Sequence, residues 1–132
     1  MTASSPSTFH SALLAFACAC GLSSACFVAA PVARDVSVES TLTPAQPTIG
    51  KAVLRVRLLD ASRRPVPGAQ LRVEGHMSHP GMSPVLATAT EHSPGIYQAQ
   101  LQFTMRGDWV LVVTGALAKG AAVNHRIDVE VK

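Results

Sequence analysis

His76, Met77, His79 and Met82 fall within seven consecutive positions of a 132-residue chain that has five histidines and four methionines. Imidazole and thioether form a soft donor set, and soft donors select Cu(I) over the hard cations that prefer oxygen. The stretch Gly75-His76-Met77-Ser78-His79-Pro80-Gly81-Met82-Ser83-Pro84 also carries its own geometry. Proline suits the second position of a type II turn and glycine the third, where φ must be positive, so His79 and Met82 become the turn's first and fourth residues. Such a turn holds their Cα atoms within about 7 Å, close enough to share one ion. Met77, two residues before His79, adds a third neutral donor if the approach is extended. The same composition also suits a Pro/Gly-rich surface loop whose methionines serve as adaptable packing groups.

The rest of the chain must position and house this segment. Its length suits one domain with a single two-layer core. Charge is unevenly spread: residues 1–33 contain no Asp, Glu, Lys or Arg, and every charged side chain lies from Arg34 onward. The chain therefore divides into an apolar leader, residues 1–33, and a foldable domain, residues 34–132. Ser11 to Ala30 has about the length that crosses a bilayer as a helix. It is read as a signal peptide or membrane anchor, although no Lys or Arg precedes it. Ser23-Ser24-Ala25-Cys26 resembles a bacterial lipoprotein box, with Leu22 one position further upstream than that pattern prefers. Three fates stay open: cleavage to a soluble protein, lipidation at Cys26, or retention as an anchor. Each places the domain in the periplasm or cell envelope.

Cys18, Cys20 and Cys26 all lie in the leader, so the domain has no cysteine. An exported domain of this kind has no disulfide framework and depends on apolar packing. Methionine and histidine also suit copper handling in an oxidising compartment, because they do not form disulfides.

From Arg34 onward the hydrophobic period is two. Tyr97, Ala99, Leu101 and Phe103 alternate with three glutamines, predicting a strand over 96–103 with one wet face. Val123, Ile127, Val129 and Val131 alternate with polar residues in a terminal strand that leaves His125 on the inward register, more suited to a hydrogen-bonded edge or core position than to a metal. Further strands are predicted over 36–40, 54–59, 70–74, 85–91 and 109–113. Turn signals separate them, notably Arg63-Arg64-Pro65-Val66-Pro67-Gly68, Ser93-Pro94-Gly95 and Arg106-Gly107-Asp108. About seven short strands with no convincing helix point to an all-β, immunoglobulin-like antiparallel sandwich. Trp109 is read as a core anchor, Met105 as a packing or rim residue, and His92 as an exposed turn residue.

These elements together resemble the YtkA-like domain family. The resemblance rests on Gly50 before the Leu54–Leu59 strand, Arg64-Pro65-Val66-Pro67-Gly68-Ala69, the His/Met loop, Gly95-Ile96-Tyr97 and Met105-Arg106-Gly107-Asp108-Trp109, and it spans roughly residues 36–131. That family is similar to FixH-like proteins, linked to assembly of copper-containing respiratory oxidases, and more distantly to CopC-like copper carriers. The resemblance implies an exported or membrane-tethered sandwich whose His/Met loop binds copper. Carried over residue by residue, it gives Met77, His79 and Met82 as ligands and His76 as a substitute or fourth donor. The implied partner is a copper-accepting envelope or respiratory-oxidase assembly protein.

Other chemistries find less support. No HExxH helix, paired-carboxylate arrangement, nucleophile elbow or phosphate-cradling glycine loop is visible, so no enzymatic activity is expected. A net charge of +3 is modest. Arg55, Arg57, Arg63, Arg64 and Arg72 could attract an acidic partner or anionic headgroups, but a solvated strand face explains them as well. Without interleaved aromatics, nucleic-acid binding is not expected. The expected function is a Cu(I) carrier or delivery domain; the alternative is a structural or protein-interaction sandwich of the cell envelope without significant metal affinity.

Overall fold

The computed structural model describes residues 35–132, and the leader with its three cysteines lies outside them. Seven antiparallel strands follow in chain order: β1 (Ser37–Thr43), β2 (Gly50–Leu59), β3 (Gln70–Met77), β4 (Val85–Ser93), β5 (Ile96–Phe103), β6 (Gly107–Ala116) and β7 (Ala122–Val131). They pair in the order β1-β2-β5-β4-β3-β6-β7, which folds over as a sandwich close to a barrel. The immunoglobulin-like all-β architecture expected from the alternation is the one observed.

β4 joins the two layers. Its first half pairs with β3, from Gly75↔Val85 to Leu71↔Ala89. Its second half pairs with β5, with Thr90↔Gln98 and, after a bulge between Glu91 and Ser93, Ser93↔Ile96. The strand therefore closes one side of the sandwich, leaving the opposite side open between β1 and β7.

Period-two patterning accounts for the core. Leu54, Val56 and Leu58 of β2, Tyr97, Ala99, Leu101 and Phe103 of β5, and Leu71 and Val73 of β3 all point inward and are buried. Trp109, Leu111 and Val113 of β6 join them, and Phe103 meets Trp109 edge to face, with ring centroids 5.3 Å apart. No charged side chain is buried among the described residues.

The end of the sandwich away from the His/Met loop is held by polar links. Tyr97 Oη donates to the Val66 carbonyl at 2.9 Å and accepts from the Ala69 amide at 3.0 Å, fixing the β2–β3 connection. Glu91 accepts from the Gly95 amide at 3.1 Å and, through its other oxygen, from the Gly68 amide at 3.2 Å. These contacts restrain that end of the scaffold while the loops at the other end stay exposed.

Candidate metal site

Register places three connections at one end of the sandwich. Met77 pairs with Trp109, Gly75 with Val85 and Gly50 with Phe103, so the β1–β2, β3–β4 and β5–β6 connections share that end. The C-terminus joins them, with the Lys132 amide donating to the Pro47 carbonyl at 2.9 Å.

Within the β3–β4 connection, Pro80 and Gly81 occupy a turn, and Gly81 has φ +86°. That is the left-handed value the third position of a type II turn requires. His79 and Met82 flank the turn, and both are exposed. β3 runs extended through Met77, so the approach delivers Met77 directly to the base of the loop.

Strand alternation separates the two neighbouring candidates. Leu71, Val73 and Gly75 face inward, and Met77 follows them, half-buried and packed against the core. Arg72, Glu74 and His76 alternate onto the outer face. There His76 Nε2 lies 3.2 Å from Glu74 Oε2. The structure thus brings Met77, His79 and Met82 to one loop end and turns His76 away from Met77. The pleat, which sends successive side chains to opposite faces, is what sets His76 apart from Met77.

Other sequence candidates occupy different places. His92 lies near the far end of β4, about 23 Å along the strand from Val85 at a rise of about 3.3 Å per residue. It is exposed and lines a surface groove with Thr90, Gln98 and Gln100. His125, half-buried on β7, lies 3.2 Å from Ser40 Oγ on β1. Trp109 is a core residue whose indole Nε1 donates to the Met105 carbonyl at 3.1 Å. Among the basic residues, Arg57 and Arg63 both pair with Glu39, at 3.7 and 3.3 Å, while Arg64 pairs with Asp60 at 3.1 Å. Much of the arginine set is therefore an exposed, internally paired surface, where such pairs contribute little to stability.

Met105, read as a packing or rim residue, sits on the rim. It lies in the β5–β6 connection, at the same end as the His/Met turn, and is 45% exposed. Its distance from the loop in sequence hides this neighbourhood, which comes from the β3–β6 pairing.

Among the described residues, no group of three His, Cys, Asp or Glu side chains is arranged to hold a metal. The donors gathered at the loop end are thioethers and one imidazole, a set that fits a soft monovalent ion.

The fold has relatives among solved structures. It resembles a DUF4426 family protein from Pseudomonas aeruginosa, with TM-score 0.57 at 11% identity, covering 78% of this chain and 96% of that one. It also resembles the Lin-41 filamin domain, with TM-score 0.55 at 19% identity, covering 79% of this chain and 98% of that one. At these identities the likeness shows the fold alone. No curated protein matches the chain in sequence. A family match does exist, and it begins at residue 32 and ends within β6, shorter at its end than the motif resemblance, which ran to residue 131. Since residues 32–114 match and make up more than half of the sequence, the chain belongs to the YtkA-like family.

Proposed function

We propose that this chain is an exported or membrane-tethered copper-binding domain that takes up Cu(I) through Met77, His79 and Met82 and delivers it to an accepting envelope protein. The observation that carries the reading is the Pro80–Gly81 turn, whose positive Gly81 φ sets exposed His79 and Met82 on either side of it while β3 brings Met77 to its base. Three neutral, soft donors suit a monovalent soft cation, because they need no negative ligand charge to balance it.

The mechanism is ligand exchange. An exposed, incomplete shell accepts the ion, and a partner's donors displace these side chains one at a time. No covalent step is needed. Export is supported by the uncharged, apolar leader, and a cysteine-free domain suits an oxidising compartment. A partner engaged in assembly of copper-containing respiratory oxidases fits this placement.

The test is competition for Cu(I) against a chromogenic chelator under reducing conditions, using the full chain with Cys18, Cys20 and Cys26 alkylated so that thiolates do not compete. The variant Met77→Leu, His79→Ala, Met82→Leu keeps side-chain volume near the core. Stoichiometric binding by the parent, lost in a variant with an unchanged circular dichroism spectrum, is the expected result. A parent that fails to compete even with a weak chelator would sink the carrier reading and favour an interaction sandwich.

A further inference from the structure

Met77 and Met105 lie at the same end of the β3–β6 pairing. The Met77 methyl carbon, Cε, lies 3.0 Å from the position a Cβ would take on Gly107. Met77 therefore reaches over the start of β6, at the foot of the connection that carries Met105. Only Arg106 separates Met105 from Gly107, a Cα span of about 7 Å at most. A second link binds the loops together: the Ser78 amide donates to the Asp108 carbonyl at 3.1 Å, continuing the β3–β6 ladder past its last paired residues.

The backbone at Met105 is fixed from below. The Trp109 indole donates to the Met105 carbonyl at 3.1 Å, and Trp109 itself is 1% exposed against Phe103. The main chain is thus tied to the core while the Met105 side chain stays 45% exposed. Met82, across the loop end, is 40% exposed. The core partly covers Met77, whereas Met82 and Met105 leave their thioethers open to solvent at the same end.

Resting on the Cu(I) reading above, we infer that Met105 is a further ligand of the site, so that Met77, His79, Met82 and Met105 form a three-thioether, one-imidazole set. Such a set is specific for soft d10 monovalent cations, Cu(I) and its redox-inert counterpart Ag(I). Divalent ions that favour imidazole and carboxylate gain little from thioethers. Met105 takes the fourth-donor place that the family resemblance gave to His76, and it does so from a different connection. The ion would then bridge the β3–β4 and β5–β6 loops and fasten one end of the sandwich.

The methionine methyl groups report this directly. The full chain is labelled with 13C-methyl methionine, its three cysteines are blocked with N-ethylmaleimide, and Ag(I) nitrate is titrated in chloride-free buffer with mild detergent. The expected result is that the Met77, Met82 and Met105 methyl resonances shift together and saturate at one equivalent. Met105→Leu, which preserves volume, is expected to weaken Ag(I) binding by about tenfold or more, since even outer-shell partners of a metal are worth that much. Movement of Met77 and Met82 with Met105 unmoved, or unchanged affinity in Met105→Leu, overturns the inference while leaving the carrier reading in place. If no methionine methyl moves, both fall together.

Discussion

Ser40 Oγ lies 3.2 Å from His125 Nε2, joining β1 to β7 across the open side of the sandwich. Both residues sit on the inward register of their strands and are half-buried, among Val38, Leu42, Val123 and Ile127. Edge strands present unpaired backbone groups, so a link between two edges helps to keep the seam shut. In a double-mutant cycle of Ser40→Ala and His125→Ala, a coupling of about 0.5–1.5 kcal/mol is expected from urea denaturation. Strict additivity of the two substitutions would show that the pair contributes nothing.

Tyr97 is the corresponding link at the end away from the loop. Replacing it with Phe removes the donor to Val66 and the acceptor for the Ala69 amide, so about 1–3 kcal/mol of stability should be lost. Burial of Tyr97 raises its phenol pKa above the ordinary 10.0. The native state then favours the neutral phenol. Its contribution is fully present below pH 10 and is lost as pH rises through the folded-state value. Unfolding midpoints measured from pH 8 to 11.5 should therefore converge for the parent and Tyr97→Phe at the alkaline end. A gap that stays constant across this range would contradict the assignment.

Much of this fold was legible from alternation, and the exceptions have identifiable causes. Tyr97 to Phe103 shows an unbroken apolar-polar alternation, and β5 adds only Ile96 to it. β3 extends three residues beyond the predicted 70–74. Gly75 faces inward where an added Cβ would lie 3.2 Å from Leu111 Cδ2, so the glycine serves close packing within a continuing strand. That extension decides the candidate site, because it puts His76 and Met77 on opposite faces. The transfer of β4 from one layer to the other left no mark in sequence, since its Ala/Thr alternation suits either partner. The place of Met105 at the same end as Met77 was equally hidden, because it arises only once β6 pairs with β3.

His76 provides a specificity control for the site. Its imidazole faces outward beside Glu74, with 47% of the side chain exposed, and it pairs there without reaching the Met77 face. His76→Ala should leave Cu(I) affinity within about twofold of the parent and stability within about 0.5 kcal/mol, as for most surface substitutions. His79→Ala, by contrast, removes the one imidazole of the proposed ligand set and should weaken chelator competition by about tenfold or more, taking outer-shell losses as a lower guide. Equal losses in the two variants would mean that the loop does not discriminate between the faces of β3.

Gly81 tests whether turn geometry, rather than composition, makes the site. An added Cβ at Gly81 meets nothing within 4 Å, so Gly81→Ala introduces no clash. What it introduces is a left-handed backbone at φ +86° on a residue with a side chain, a cost of about 1 kcal/mol if the turn is kept. Asparagine adopts that region more readily than alanine. The expected order of Cu(I) affinity is therefore parent, then Gly81→Asn, then Gly81→Ala, with all donors still present. Chelator competition measures the order, while thermal unfolding should shift by only a few degrees because the loop lies outside the core. If Gly81→Ala bound Cu(I) as tightly as the parent, the donors would be assembling without the turn, and a flexible loop would replace the preset geometry as the basis of binding.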